Sequence, residues 1–307
     1  MTTRSVPLAG VLPVFQTPYF ADESIDFDTL DREIDWLLSS GARGVVMAMV
    51  SETLRLSTEE RRAMAERVCH TVADRAAAVI SVGAESTHAA VELARHAERS
   101  GATALMAIPP VATSAPADEL LHYYRALLQA VTLPVIVQDA SGYVGRPLPV
   151  AMQARLLDEY GPARVMFKPE AAPLGPNLTA LREATGGRAR VFEGSGGVAL
   201  VDSFRRGVVG TMPGAELIRA MVALWGALEH SDNERVYRLS LPIAALVNLQ
   251  TGLDGFLAVE KYLLVKQGIF QNTIVRGPLA FRLDDETRAE VDRLFELVCR
   301  AVDDTSD

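Results

Sequence analysis

The chain has 307 residues, of which 49% are hydrophobic and 22% charged, and its net charge is −9. That length holds two ordinary domains or one α/β barrel, and the composition is that of a globular chain with a sizeable core. The acidic balance argues against nucleic acid or an anionic membrane as partner.

No apolar run approaches the roughly 18 residues that a membrane span needs, and the first 20 residues lack an apolar segment followed by a small-residue cleavage site. A cytoplasmic location is therefore expected. The two cysteines, Cys69 and Cys299, lie too far apart in sequence to suggest a disulfide framework or a metal motif, and buried reduced thiols are expected.

Eight short apolar runs follow one another along the first two thirds of the chain. They read GVLPVFQTP (10–18), GVVMAMV (44–50), AAVISVGA (77–84), ALMAIPP (104–110), PVIVQD (134–139), RVMFKPE (164–170), RVFEGSGG (190–197) and VGTMPGA (209–215). They are rich in Val and Ile and barely alternate in polarity, the signature of strands buried on both faces of a parallel sheet. Amphipathic stretches separate them, such as DFDTLDREIDWLLSSG and THAAVELARHAERSG, with apolar residues at three- and four-residue spacing. Ser57 and Glu60 have capping-box spacing, and Ser39-Ser40-Gly41 and Ser100-Gly101 read as helix stops. Eight βα units predict a (β/α)8 TIM barrel over residues 1–232, with an open doubly wound sheet as the alternative. Residues 233–307 predict a C-terminal all-helical extension packed on the barrel.

In such a barrel, chemistry collects at the C-terminal ends of the strands. Those ends here carry Gln16 and Thr17, Ser51 and Glu52, Glu85, Gln138 and Asp139, Lys168 and Glu170, Glu193 and Ser195, and Thr211. Lys168 stands out, because the chain has only three lysines, Lys168, Lys261 and Lys266. Residues i and i+2 of a strand share a face, so Lys168 and Glu170 should both point into the barrel. Burial disfavours an ammonium, and a neutral amine is a nucleophile for a carbonyl. The resulting protonated imine acidifies the adjacent carbon, and Glu170 is placed to remove that proton. A structural Lys168–Glu170 ion pair is the competing reading. Glu52 is more simply a turn or cap residue. The five histidines all fall in helical stretches, and His88 and His96 lack the spacing of a helical zinc pair. No metal site is expected.

With these residues in view, the sequence resembles the dihydrodipicolinate synthase / N-acetylneuraminate lyase family. The resemblance runs through GVLPVFQTPYFADESIDFDTLDREIDWLLSSGARGVV, SETLRLSTEERRAMAE, LPVIVQDASGYVG, VMFKPE and GTMPG, and covers nearly the whole chain. It implies a barrel enzyme that forms a Schiff base between Lys168 and a 2-oxo acid, with no cofactor beyond that covalent imine. It also implies a homo-oligomer, tetramer or dimer. The departures narrow the expectation. Where the family's fifth strand ends in Tyr-Asn, this chain has Gln138-Asp139, and an amide cannot shuttle protons as a phenol does. The family's two hydroxyl residues after the second strand correspond to Met49 and Val50, leaving Ser51 as the nearby hydroxyl. Tyr143 stands where dihydrodipicolinate synthases carry a carboxylate-binding arginine, which argues against aspartate semialdehyde as co-substrate. Gln138-Asp139, with Glu170 and the following APLGP, resembles the 2-keto-3-deoxy-sugar-acid dehydratases, notably those acting on L-2-keto-3-deoxyarabonate.

The expected catalytic set is Lys168, Glu170 and Gln138. The expected substrate-binding set is Ser51, Val50, Thr17, Tyr143, Glu193 and Ser195. The expected reaction is dehydration of a 2-keto-3-deoxy sugar acid. A pyruvate-releasing retro-aldol cleavage is the alternative, and a non-catalytic barrel that binds a small acid is the third reading.

Overall fold

The computed structural model describes residues 8–304. Eight strands alternate with helices: β1 (Gly10–Val11), β2 (Gly44–Val46), β3 (Ala77–Ser81), β4 (Ala104–Ala107), β5 (Val135–Asp139), β6 (Val165–Pro169), β7 (Phe192–Glu193) and β8 (Gly210–Thr211). All pairings between these strands are parallel, in one run from β2 to β6 and another in the order β1-β8-β7. Parallel bridges at Val14 to Val46 and Phe167 to Val191 join the two runs, so the sheet closes into the expected barrel.

The strands are shorter than the apolar runs that encode them, and the reason is local. Pro13 has no N–H for a ladder. Met49–Ser51 coils into one 3-10 turn, and the chain after Glu193 leaves the sheet at Gly194. The residues past each strand thus form the mouth of the barrel instead of extending its wall.

Two packed layers follow from the strand periodicity. Leu12, Val46, Val79, Met106, Ile136, Met166, Phe192 and Met212 fill the barrel interior as one cluster. Val45, Ile80, Leu105, Val137 and Phe167 face outward into the larger cluster made with the helices. Met166 points in and Phe167 out, so Lys168 points in. The β5–β6 register then sets Gln138 beside Lys168.

The surrounding helices are α1 (Phe27–Ser39), α2 (Thr58–Val72), α3 (Thr87–Arg99), α4 (Ala117–Ala130), α5 (Val150–Tyr160), α6 (Leu174–Ala184), α7 (Leu200–Arg205) and α8 (Ile218–Glu229). Ser57 caps α2 as its spacing predicts: its hydroxyl accepts from the Glu60 amide at 3.2 Å, and its own amide donates to the Glu60 carboxylate at 2.8 Å. Three further helices follow, α9 (Asn233–Val247), α10 (Gly252–Lys266) and α11 (Asp285–Asp303). They share the outer core with the barrel helices, through Ile243, Val259 and Val291 among others. No single helix among the described residues is long and apolar enough to cross a membrane.

α10 lies over the barrel mouth. Its Lys261 is fully buried and donates to the carbonyls of Thr17 at 2.8 Å and Ile274 at 2.6 Å, and to the Glu52 carboxylate. This explains Glu52 at the end of the 3-10 turn: it is the counter-ion of a buried lysine.

Candidate active site

A cleft of about 400 Å³ of atom-free space, the open solvent at its mouth included, lies at the C-terminal ends of the strands. Lys168, Glu170 and Gln138 form one wall, Ala48, Met49 and Val50 a second, and Gly214, Leu253, Phe256 and Glu260 a third. Tyr143 also lines it, its ring packed edge-on against Phe256 at 5.5 Å between centroids.

Lys168 is 3% exposed. Its Nζ donates to Glu170 Oε1, and Gln138 Nε2 donates to the other carboxylate oxygen at 2.9 Å. Burial raises the Glu170 pKa above the usual carboxylate value, against the lowering influence of Lys168 and Gln138, while Glu193 adds to the rise. Glu170 is thus a stronger base than a surface carboxylate and is held against the amine it would serve. The space beside the pair depends on a missing side chain. A Cβ on Gly194 would stand 2.9 Å from Glu170 Oε1 and 3.0 Å from Lys168 Cε, where an adduct on the lysine must form.

Of the expected substrate-binding residues, Val50 and Tyr143 line this cleft. Burial, and then the charges of Glu170, Glu260 and Glu193, keep the Tyr143 phenol well above its ordinary pKa. The other four are tied into the walls. The Thr17 hydroxyl donates to the Ser51 carbonyl at 2.6 Å. The Ser51 hydroxyl donates to the Phe15 carbonyl at 2.6 Å and accepts from the Ala48 amide at 3.1 Å, which staples the turn after β2 to the end of β1. Glu193 accepts from the Ser195 amide and, at 2.7 Å, from the Thr211 hydroxyl. The Ser195 hydroxyl accepts from the Ala199 amide at 2.8 Å. These four shape the mouth and leave its space to others.

Sequence reasoning missed the contribution of α10. Glu260 lines the cleft, and Gln16 Nε2 donates to its Oε2. The backbone N–H of Gln16 in turn donates to Glu33 Oε1 at 2.9 Å. Glu216 accepts from Gln250 Nε2 at 3.2 Å. All three glutamates are buried. Burial pushes Glu216 up to about 7 and Glu33 and Glu260 well above the usual carboxylate range, with Glu216 and Glu33 adding to the rise at Glu260. One signal was available: FLAVEKYLLV sets two charges inside an apolar helical run, and buried charges need partners. Among the described residues, no three His, Cys, Asp or Glu side chains converge as a metal ion would need.

Comparison with known proteins agrees with this architecture. The sequence model of the Dihydrodipicolinate synthetase family matches residues 7–297. The chain is 25% identical over 300 residues, 95% of each chain, to an L-2-keto-3-deoxyarabonate dehydratase of Azospirillum brasilense. It is 27% identical over 304 residues, 96% of this chain and 94% of the relative, to a 4-hydroxy-tetrahydrodipicolinate synthase of Acidothermus cellulolyticus. The crystal structure of dihydrodipicolinate synthase from Rhodopseudomonas palustris superimposes with a TM-score of 0.85 at 25% identity, covering 94% of this chain and 97% of that one. Matched along nearly its whole length and built on the same barrel, the chain belongs to the Dihydrodipicolinate synthetase family and is a lyase of that family.

Proposed function

We propose that the protein dehydrates a 2-keto-3-deoxy sugar acid through an imine on Lys168. The observation that carries this reading is the contact of Lys168 Nζ with Glu170, whose second oxygen is held by Gln138. The amine attacks the C2 carbonyl, water leaves, and the protonated imine becomes the electron sink, so no metal or organic cofactor is required. Glu170 then removes a C3 proton, and the C4 hydroxyl departs as water. A base that touches the imine nitrogen is within reach of the carbon next to C2, which suits Glu170 to the proton transfer that the Gln138 amide cannot perform.

The substrate carboxylate needs donors. The Ser51 hydroxyl is committed to the Phe15 carbonyl, so the amides of Met49 and Val50, at the start of the turn facing the cleft, are the proposed grip. Tyr143 is the proposed donor to the polar tail. Two features favour dehydration over dipicolinate synthesis: Gln138 in place of the family tyrosine, and Tyr143 where dihydrodipicolinate synthases carry a carboxylate-binding arginine.

The test is product analysis with L-2-keto-3-deoxyarabonate and its longer homologues. A single dehydrated 2-oxo acid supports the reading. Pyruvate plus an aldehyde would replace it with retro-aldol cleavage, which starts from the same adduct.

A further inference from the structure

Two of the residues lining the cleft carry carboxyls, Glu170 and Glu260. They come from different sides of the mouth. Glu170 follows β6, whereas Glu260 descends from α10 beside Gly214 and is oriented by Gln16, past the ends of β8 and β1. Glu260 is 1% exposed.

Burial, Glu216 and Glu33 favour a proton on Glu260, against the Gln16 donor and the nearby Lys261 charge. A Cβ on Gly214 would lie 2.4 Å from Glu216 Oε2 and 2.5 Å from Glu260 Oε1, so the two carboxyls crowd one point and only glycine leaves room for them. Glu216 Oε2 is buried and unpartnered, as are the side-chain carbonyl oxygens of Gln16 and Gln250. Among the described residues no cation bonds either carboxyl: Lys168 is paired with Glu170, and Lys261 with Glu52. The remaining titratable groups facing this site are Glu33 on α1, which adds a third buried carboxyl, and Tyr143. Two adjacent buried carboxyls cannot both ionise. The cleft therefore holds one base beside the lysine and one acid across from it, the division of labour that elimination of a poor leaving group requires.

We propose that Glu260 is the acid of the elimination, protonating the C4 hydroxyl as it leaves, and that Glu216 is the positioning residue that keeps the proton on it. The proposal rests on the dehydration reading above. Glu170 takes the C3 proton, and the C3–H pair becomes the C2–C3 double bond of an enamine. The nitrogen lone pair then reforms the C2–N double bond, the C2–C3 pair shifts to C3–C4, and the C4–O pair leaves on oxygen. That oxygen takes the Glu260 proton and departs as water. Water hydrolyses the conjugated imine, and solvent carries the proton from Glu170 back to Glu260.

The experiment compares the wild type with Glu260→Gln in three reactions. Deuterium exchange into the pyruvate methyl group needs the lysine and the C3 base but no leaving-group acid, and it should stay within about threefold of wild type. Dehydration of L-2-keto-3-deoxyarabonate should fall by about 10²- to 10⁴-fold. The analogue with fluoride at C4, whose leaving group needs no proton, should react at close to the wild-type rate. Full dehydratase activity in Glu260→Gln overturns the proposal, as does an equal loss of exchange and dehydration. In Glu216→Gln, loss of the neighbouring carboxyl should move the alkaline limb of dehydration to lower pH and leave pyruvate exchange unmoved; an unshifted limb also overturns it. A wild type that yields pyruvate and an aldehyde removes the dehydration reading itself, an outcome distinct from a wild-type dehydratase that ignores Glu260.

Discussion

Lys168 and Glu170, two residues apart on one face of the β6 end, place amine against carboxylate in a site where neither side chain is more than 5% exposed. A buried ion pair of this kind is weak support for stability, because desolvation offsets most of its attraction. Its position beside an open cleft, with a glycine keeping the adjacent space clear, fits chemistry better than structure. Borohydride with pyruvate should therefore add one covalent adduct to the wild type, mapping to Lys168. Lys168→Arg should keep the charge and the contact with Glu170 yet trap nothing, since a guanidinium is not deprotonated here. An adduct on Lys168→Arg would remove the imine assignment.

Glu170→Gln separates imine formation from proton transfer. The amide keeps the shape of the carboxylate and its place beside Lys168. The variant should still trap pyruvate, while methyl deuterium exchange and dehydration should each drop by about 10²-fold or more. Nuclear magnetic resonance in deuterated water reads both rates, and wild-type exchange would dismiss Glu170 as the base.

Gln138 bonds the ionised form of Glu170 and so lowers its pKa against the rise from burial. Gln138→Leu removes that donor. The Glu170 pKa should rise further, and because the base must be ionised to act, the acid limb of the pH–rate profile should move to higher pH. A limb that stays put or moves to lower pH would contradict this account of the contact.

The Lys261–Glu52 pair is structural, with both side chains 1% exposed or less. Lys261→Met leaves the buried Glu52 with only the longer contact to Arg55 at 3.8 Å and should cost about 3 kcal/mol of stability. Lys261→Met combined with Glu52→Gln should recover part of that loss, because the stranded charge is gone. Denaturant unfolding of the two single variants and the double measures the coupling.

Glu216 has its pKa raised from 4.5 to about 7 by burial. A raised folded-state value means that its stabilisation is present below pH 4.5 and is lost as pH climbs through about 7. Wild-type melting temperature should fall over that window, and Glu216→Gln should flatten the fall by about 2 °C or more. Equal slopes in the two proteins would place the titration elsewhere.

Much of this protein is written in local sequence. Val- and Ile-rich runs at regular spacing specify parallel strands, period-3.6 patterns and caps specify the helices, and period two alone sends Lys168 and Glu170 to the same face. Glu170 is two residues from Lys168, so their meeting needs nothing beyond strand geometry. Residues far apart in sequence carry no such signal. Ser51 and Thr17 read as free hydroxyls at strand ends, yet closure of β1 against β2 commits both to carbonyls within the wall. Glu193 reads as a carboxylate for substrate, yet β8 brings Thr211 against it. Glu260 reads as one polar position on a C-terminal helix, and only the docking of α10 over the mouth delivers it to the cleft, 92 positions beyond Lys168 in the chain. Periodicity acts over a few residues and is legible in one dimension. Burial, counter-ions and the retention of a proton depend on what folding brings alongside, and for this chain the tertiary structure decides them.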